Sequence, residues 1–319
     1  MHLLHRLLPA GTLVTVLCGL IIAATPGTAH AVTDAELALR WAPIHYQDTA
    51  ASDYDADYLS TVDFDGDWNT LNNWEAQDDN VSRLSGAAYY SVVETATHWF
   101  LGYAFYHPRD WTDVWDPFGA LQHENDMEGV LFTVRKDGSP YGVLEAAVTV
   151  AHNNFYSYTP PGSPYTSGRE SVDGTLILRD RGGVLRPATF QEAKGHGCYR
   201  WDGNNFPGGD GVVYYPTAGS GETPSSGNDR DVNYRLVDTF AASGLWARRF
   251  DSQTYASFGT FRGDNGTDNA ANAPWGWDDQ DDGSDLQRGL LATDPAKLVN
   301  IYFANKGSFS LTYTRNGYR

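Results

Sequence analysis

Runs of aromatic and β-branched residues predict strands over most of the chain. Two such runs, at residues 88–94 and 98–107, flank Thr95-Ala96-Thr97 and predict a β-hairpin. The sequence Asp137-Gly138-Ser139-Pro140 predicts a turn between two later strands. In all, further strands are predicted at residues 128–136, 143–152, 175–179, 211–215, 253–262, 299–303 and 308–314.

Helical signals are few. Thr33 with Glu36 three residues later forms a capping box, which predicts a short helix that ends near Pro43. Residues 48–80 are rich in Asp, Asn and Trp, and we expect them to be mostly irregular. Strand signals continue around the Pro- and Gly-rich stretches, so no linker divides the chain. The pattern predicts a mainly β protein, a single-domain β-sandwich with long loops and a few short helices over residues 32–319.

Residues 1–31 have the pattern of an export signal. Arg6 precedes an apolar run of about twelve residues, and Ala29-His30-Ala31 then fits the small-x-small cleavage rule. The run is shorter than the roughly twenty residues that span a bilayer. We therefore expect a secreted, extracellular protein with no transmembrane anchor after cleavage; an uncleaved anchor is the alternative.

Charge and cysteine content narrow the possible partners. The 319 residues include 22 Lys+Arg and 40 Asp+Glu, a formal net charge of -18, which argues against nucleic acid as a partner. Charged residues make up only 19% and hydrophobic ones 41%, so the chain is not a disordered acidic segment. Removal of residues 1–31 would leave Cys198 as the one cysteine, so an intramolecular disulfide is excluded and a buried, non-catalytic thiol is expected.

His123, Asp126 and Glu128 form the densest group of candidate ligands. We expect His123 and Asp126 in a loop and Glu128 at the start of the following strand. Carboxylates this close repel each other unless a cation lies between them. The oxygen-rich set favours Ca²⁺ or Mg²⁺, and the histidine also admits Mn²⁺ or Zn²⁺. The alternative is an exposed acidic turn that only begins a strand.

A second group precedes this motif. Pro108 is expected to end a strand, which would leave His107, Arg109 and Asp110 at the end of the sheet. A loop could return an aspartate from this region to the His123 cluster as a further ligand. The residues alone leave three candidates for that ligand: Asp110, Asp113 and Asp116.

The motif His-x-x-Asp-x-Glu at residues 123–128, after Pro-Arg-Asp at 108–110, resembles the heptad of the necrosis-inducing-protein-like family of secreted microbial proteins. The segments at residues 40–44 and 273–277 are similar to the related vacuolar-sorting-type proteins with a His-x-Gly-Asp-Trp-Glu motif. The likeness touches most of residues 32–319, but only as short islands. It implies a β-sandwich and a divalent cation held by four ligands, namely Asp110, His123, Asp126 and Glu128.

The sequence also departs from that family. Glu124, Asn125 and Met127 replace the Arg-His pair and the Trp of the heptad, and the family's disulfide cysteines are missing. The loop between Asp110 and His123 is longer than theirs. Metal binding therefore carries over, whereas lysis of plant cells does not.

Two further histidines are candidates for ligand binding, together with His107 and Arg109. His152 ends a predicted strand and is similar in placement to a histidine of the same family. His196 lies between glycines and is similar to a Gly-Ser-His turn of the vacuolar-sorting-type proteins. For each of the two, a hydrogen-bonded structural histidine is the alternative. His45 and His98 stand beside aromatic residues and are expected to be structural.

The leading hypothesis is a secreted protein that binds a divalent cation and thereby recognises a glycan or a lipid head group. The second is a metal-dependent hydrolase, in which the ion activates water and His152 or His196 is the general base. The third is a structural envelope protein whose metal only holds loops together. The zinc-protease motif is excluded, because Met127 stands where its second histidine is required.

Overall fold

The computed structural model describes residues 32–281 and 286–319. The predicted export signal, residues 1–31, lies outside the described residues. None of the helices within the described ranges combines the length and the apolar character needed to span a bilayer.

Strands dominate these two ranges, as the sequence predicts. The strands of the described residues are β1 (Ile44–Asp48), β2 (Ala87–Thr95), β3 (His98–Asp110), β4 (His123–Arg135), β5 (Val143–Ala151), β6 (Asn154–Thr159), β7 (Thr166–Ser167), β8 (Val172–Thr175), β9 (Leu178–Arg181), β10 (Val184–Gln191), β11 (Cys198–Arg200), β12 (Gly211–Thr217), β13 (Val232–Asp238), β14 (Tyr255–Ser257), β15 (Thr260–Phe261), β16 (Phe303–Ala304) and β17 (Tyr313–Arg315). The helices of the same ranges are α1 (Asp34–Trp41), α2 (Asn73–Asp79), α3 (Leu290–Thr293) and α4 (Pro295–Tyr302), with short 3₁₀ turns at Tyr54–Asp57, Val81–Arg83, Trp246–Arg248 and Pro274–Gly276.

Most strands belong to one large mixed sheet. Its order is β11-β10-β1-β12-β13-β2-β3-β4-β5-β6-β8, with β9 added to β10 and β17 to β2. The sheet curls like a half-barrel, so that β11 at one edge contacts β4 and β5 in the other half. The mainly β class is thus confirmed. A sandwich of two packed sheets stays a prediction.

Several local predictions are confirmed. Helix α1 has the predicted capping box, in which Thr33 Oγ1 accepts from the Glu36 amide at 3.2 Å. Strands β2 and β3 form the predicted antiparallel hairpin, with Glu94 paired to Trp99 beside the turn. Cys198 is a free, buried thiol, and burial raises its pKa well above the ordinary value.

The predicted strand at residues 299–303 is wrong, and the strands predicted at 175–179, 253–262 and 308–314 are strand only in part. Residues 299–303 lie mostly in helix α4, which begins with Pro295 in its first turn. Pro is favoured at this position because its fixed φ suits a helix start and its missing N–H needs no partner there. Leu298, Val299 and Tyr302 are buried at the spacing of one helix face, which a short apolar run does not distinguish from a strand.

The expected strand ends around the candidate ligands are also wrong. Strand β3 continues past Pro108 to Asp110, and β4 begins at His123, so His123 and Asp126 lie in a strand rather than a loop. The pairing of β3 with β4 omits only Pro108, which has no N–H to donate, and the Asn125 opposite it, whose φ is 61°. Pairing then resumes and places Asp110 directly opposite His123.

The conformation of Asn125 determines which side chains of β4 face the same space. Its Oδ1 accepts from Tyr106 Oη at 2.6 Å and Asn73 Nδ2 at 2.9 Å, and its Nδ2 donates to the carbonyls of Thr70 and Arg262. Strict alternation would put His123 on the opposite face from Asp126. The positive φ of Asn125 interrupts that alternation, and His123 joins Asp126 on one side.

Candidate functional site

The four predicted metal ligands line a single cavity of about 220 Å³ at the adjoining ends of β3 and β4. His152, which follows β5, lies at the same cavity. The remaining wall combines polar and apolar side chains from β4, the β5–β6 turn and the segment 267–277: Met127, Asn153, Thr267, Ala270, Ala271, Asn272 and Trp277. Five residues singled out by the sequence are therefore brought together by the fold.

Asp110 and His123 form the outer pair of this set. His123 Nε2 lies 3.2 Å from Asp110 Oδ2, and Nδ1 lies 2.8 Å from the carbonyl oxygen of Asn125. Burial opposes the charged imidazole, but the hydrogen bond to Asp110 and the negative charges of Asp126 and Asp110 outweigh it and raise the pKa of His123 to about 9. Without an ion the imidazole is therefore cationic at neutral pH, and Nε2 would have to lose its proton before it could bind a metal.

Asp126 is held from behind by His196. His196 is fully buried, and its ring lies between two carboxylates: Nδ1 is 3.1 Å from Asp126 Oδ2 and Nε2 is 3.2 Å from Asp57 Oδ1. Burial again opposes the charge, and the hydrogen bonds to both aspartates raise the pKa of His196 to about 9. His107 stacks on this ring with centroids 3.7 Å apart and planes 5° from parallel.

Glu128 is buried and accepts backbone hydrogen bonds. Its Oε2 accepts from the Cys198 amide at 2.9 Å, and its Oε1 accepts from the His152 amide. Burial and then the charge of Asp126 raise the pKa of Glu128 well above its usual range. Burial and the neighbouring Asp126 carboxylate thus favour the protonated form of Glu128.

His152 is the accessible histidine of the cavity, with about half of its side chain exposed. Its Nε2 lies 2.8 Å from Glu192 Oε1, and its Nδ1 lies 3.7 Å from Glu128 Oε1. The hydrogen bond to Glu192 raises the pKa of His152 despite partial burial. The residue follows β5 directly and adopts a φ of 57°.

Two other predicted binding residues lie outside the cavity. His107 is fully buried behind it, where its Nε2 is 3.2 Å from Gln191 Oε1. Arg109 binds helix α2 instead: Nε donates to the Trp74 carbonyl at 2.9 Å, and Nη2 lies 2.8 Å from Asp78 Oδ1.

Glu124, beside the motif, also has a structural role. Its carboxylate accepts from the Trp74 amide at 3.0 Å and the Asp264 amide at 3.2 Å, and so ties α2 and the 263–267 segment to β4. Burial raises the pKa of Glu124 to about 7.

The donor set is compatible with a hydrated cation. Within the described ranges, no three His, Cys, Asp or Glu side chains stand in an arrangement that would enclose a bare ion. The donors nevertheless share one cavity, whose volume of about 220 Å³ holds several waters at about 30 Å³ each. Mg²⁺ in proteins usually keeps several waters and binds through one or two carboxylates. Asp110, Asp126 and Glu128 would supply the oxygens and His123 a nitrogen.

Sequence reasoning missed three contributors. Asp57 comes from the irregular acidic segment, and no spacing marks it, because its partner His196 is 139 residues away. Glu192 precedes the Gly195-His196-Gly197 turn and shows no motif. The wall residues Thr267, Ala270, Ala271 and Asn272 carry small, hydroxyl or amide side chains, which no metal-ligand pattern would select.

Comparison with known protein families finds no matching family, and no curated protein matches either. Solved structures do match. One described as a toxin fold for microbial attack and plant defense has a TM-score of 0.37 at 14% identity, with 75% of this chain and 83% of that chain covered. Necrosis and ethylene inducing protein 2, from the causal agent of cocoa's witches' broom disease, has a TM-score of 0.37 at 14% identity over 69% of this chain and 82% of its own.

A further match is NLPPya in complex with glucosamine, with a TM-score of 0.37 at 14% identity, covering 77% of this chain and 87% of that one. The same protein is also found in complex with mannosamine. Solved structures of necrosis-inducing-protein-like proteins, the family that the motif resembles, are thus among the matches, at TM-scores of only 0.37 and 14% identity. Any function has to be argued from the cavity itself.

Proposed function

We propose that the cavity binds one divalent cation, Ca²⁺ or Mg²⁺, and that the ion and the cavity wall together recognise a glycan or a lipid head group. The observation that carries this proposal is the shared cavity of Asp110, His123, Asp126 and Glu128. When bound, the ion would supply positive charge and open coordination positions for hydroxyl or phosphate oxygens. The chain's own residues would hold and orient it.

The charge balance supports a cation. Three carboxylates line the cavity, and two imidazoles of raised pKa contact them, His123 at Asp110 and His196 at Asp126. The nearest basic residues are engaged elsewhere, Arg109 with Asp78 and Lys194 with Asp113 at 2.7 Å. A divalent ion would offset the repulsion from Asp126 that, together with burial, favours protonation of Glu128.

The wall supports a hydroxyl-rich ligand. Asn153, Thr267 and Asn272 offer amide and hydroxyl groups that pair with sugar hydroxyls, while Ala270 and Trp277 offer apolar surface. Pockets that bind small polar ligands combine an apolar lining with a few placed polar groups in this way. His152 at the rim can donate to a ligand oxygen because half of its surface is exposed.

A glycan and lipid array, probed with the chain in Ca²⁺, in Mg²⁺ and in EDTA, tests the proposal. We expect binding that needs the ion and is lost in Glu128→Gln. The matched control is Asp113→Asn, since Asp113 lies in the neighbouring loop, is exposed and pairs with Lys194 outside the cavity. Binding that survives both EDTA and Glu128→Gln would contradict the proposal.

The His152–Glu192 pair supports a second candidate, a metal-dependent hydrolase. A general base needs a side chain that reaches the substrate and a group that orients it. His152 meets both conditions, whereas His196 is fully buried between two aspartates and cannot reach a ligand. Turnover of esters or glycosides that is lost in His152→Gln but not in the loop control Asp113→Asn would favour this candidate over simple binding.

We also infer that the chain is secreted. The support is the pattern of residues 1–31, with its short apolar run and its small-x-small end. Expression in a secreting host should release a chain whose N-terminal sequence begins at Val32. A cell-retained chain with an intact Met1 would contradict the inference.

A further inference from the structure

The loop that joins β3 to β4, residues 111–122, exposes four large apolar side chains within eight residues. Val114 is 62% exposed, Trp115 85%, Phe118 90% and Leu121 58%. Single exposed apolar residues are common on protein surfaces, but a contiguous group of this kind marks an interaction site. The loop begins directly after Asp110 and ends directly before His123, so it lies beside the cavity.

The loop is built to present these side chains. The Asp116 carboxylate accepts from the Leu121 amide at 2.7 Å and from the Phe118 amide at 3.4 Å, which closes the loop tip on itself. Gly119 has a φ of 63°, and a Cβ there would lie 3.0 Å from the Cα of Gly266. The base of the loop is held as well, since the Gln122 carbonyl accepts from the Thr267 amide at 2.9 Å. The apolar side chains therefore point outward from a hydrogen-bonded loop.

The charges of the loop select the kind of surface it can meet. Residues 111–122 contain no Lys or Arg, and the whole chain has a formal net charge of -18. Asp113 is paired with Lys194, and Asp116 is used within the loop. A surface rich in anionic lipid or in acidic side chains would be repelled. A zwitterionic surface would not be repelled.

The size of the patch separates a membrane from a protein partner. A stable protein interface buries about 800 Å² on each side, more than four side chains on one loop supply. Trp and Phe are suited to the boundary between head groups and acyl chains, where a few inserted side chains give reversible binding. We propose that Trp115, Phe118 and their apolar neighbours insert into a zwitterionic lipid bilayer and bring the cavity to the level of the head groups.

This proposal rests on the proposed function only for the role of the cavity; insertion of the loop is independent of the ion. The test is sedimentation of the chain with phosphatidylcholine vesicles. We expect the wild-type chain to bind with or without EDTA, and the double variant Trp115→Ser/Phe118→Ser to bind at least tenfold more weakly. Phe250→Ser is the matched control, because Phe250 is 74% exposed but lies outside the loop, and its vesicle binding should equal that of the wild type.

Three outcomes would overturn the proposal. They are absence of wild-type binding to the vesicles, equal binding by the double variant, and a wild-type dimer in solution that the double variant converts to a monomer. The last result would assign the patch to self-association. The double variant should keep the wild-type melting temperature and ion affinity, since neither side chain lines the cavity. A chain that binds vesicles but no ion would refute the proposed function and leave the loop proposal standing.

Discussion

Replacement of His196 by asparagine should destabilise the chain by about 3 kcal/mol, because it removes the side chain that links two buried carboxylates. Asparagine is chosen because His196 has a φ of 51°, a conformation that Asn tolerates. The loss should fall mainly on Asp126. Asp57 keeps three other N–H donors, from Ala50, Trp111 and Lys194.

The magnitude follows from these contacts. A hydrogen bond to a charged group contributes roughly 1.5–3 kcal/mol, and removing one partner of a buried ion pair costs about 3–5 kcal/mol. Asp57 retains donors, so the lower end of the second range applies. With a urea dependence of about 3 kcal/mol/M, at the upper end for small proteins, the unfolding midpoint should fall by about 1 M.

The assay is equilibrium unfolding in urea with EDTA present, so that bound ions do not mask the difference. His152→Asn is the matched control, since His152 also has a positive φ and contacts carboxylates, but is half exposed. An exposed pair contributes about 0.2–1 kcal/mol, so the control should lose 1 kcal/mol or less. Equal losses in the two variants would refute the reasoning that burial of the Asp57–His196–Asp126 chain makes it stabilising.

In calorimetry, Asp110→Asn should weaken ion affinity about tenfold, or about 1.4 kcal/mol. Asp113→Asn should change the affinity less than twofold, because Asp113 pairs with Lys194 outside the cavity. Burial lowers the pKa of His45 from 6.5 to about 3. As the pH drops below about 6.5, His45 is protonated in the unfolded chain but not in the folded one, so the free energy of unfolding falls. Wild type should lose about 2 kcal/mol more than His45→Gln between pH 7 and pH 5 in urea unfolding, and parallel curves would contradict this. A Cβ at Gly129 would lie 2.0 Å from a carbonyl oxygen of β3, whereas one at Gly138 meets nothing within 4 Å. In thermal melts, Gly129→Ala should therefore lower the free energy of unfolding by about 3 kcal/mol and Gly138→Ala by about 1 kcal/mol. Equal losses in the two variants would contradict this.

The sequence predicted the hairpin of β2 and β3 and the capped helix α1 because both depend on local residues. The Thr33–Glu36 capping box and the short turn after Thr95 are read from neighbours in the chain. The choice of His123, Asp126 and Glu128 was local too, since all three lie within six residues and the fold places them at one cavity.

The start of β4 could not be predicted in the same way. Asn125 takes its positive φ because four partners from Thr70, Asn73, Tyr106 and Arg262 satisfy its amide, and these lie between 19 and 137 residues away. That conformation moves His123 to the side of Asp126. The sequence shows an acidic cluster but not the long-range contacts that orient it.

The buried support behind the cavity was also beyond local reasoning. The flanking glycines of His196 predict an accessible turn, yet the side chain is fully buried, with Asp57 and Asp126 at its two ring nitrogens. Arg109 is predicted as a binding residue because it stands with Asp110 at the expected sheet end, but its guanidinium reaches α2, where it lies 5.1 Å from the Trp74 ring centroid. Motif spacing identifies candidate residues that are close together in the sequence. The register of β3 and β4 decides which of their side chains face the cavity.

Calorimetric titration of Ca²⁺ and Mg²⁺ into the chelator-stripped chain tests the central claim most directly. The account predicts saturable binding of one ion per chain, which is lost in the double variant Asp110→Asn/Glu128→Gln, while that variant keeps the wild-type circular dichroism spectrum. Absence of saturable binding by the wild-type chain, or an unchanged affinity in the double variant, would contradict the assignment of the cavity as a cation site.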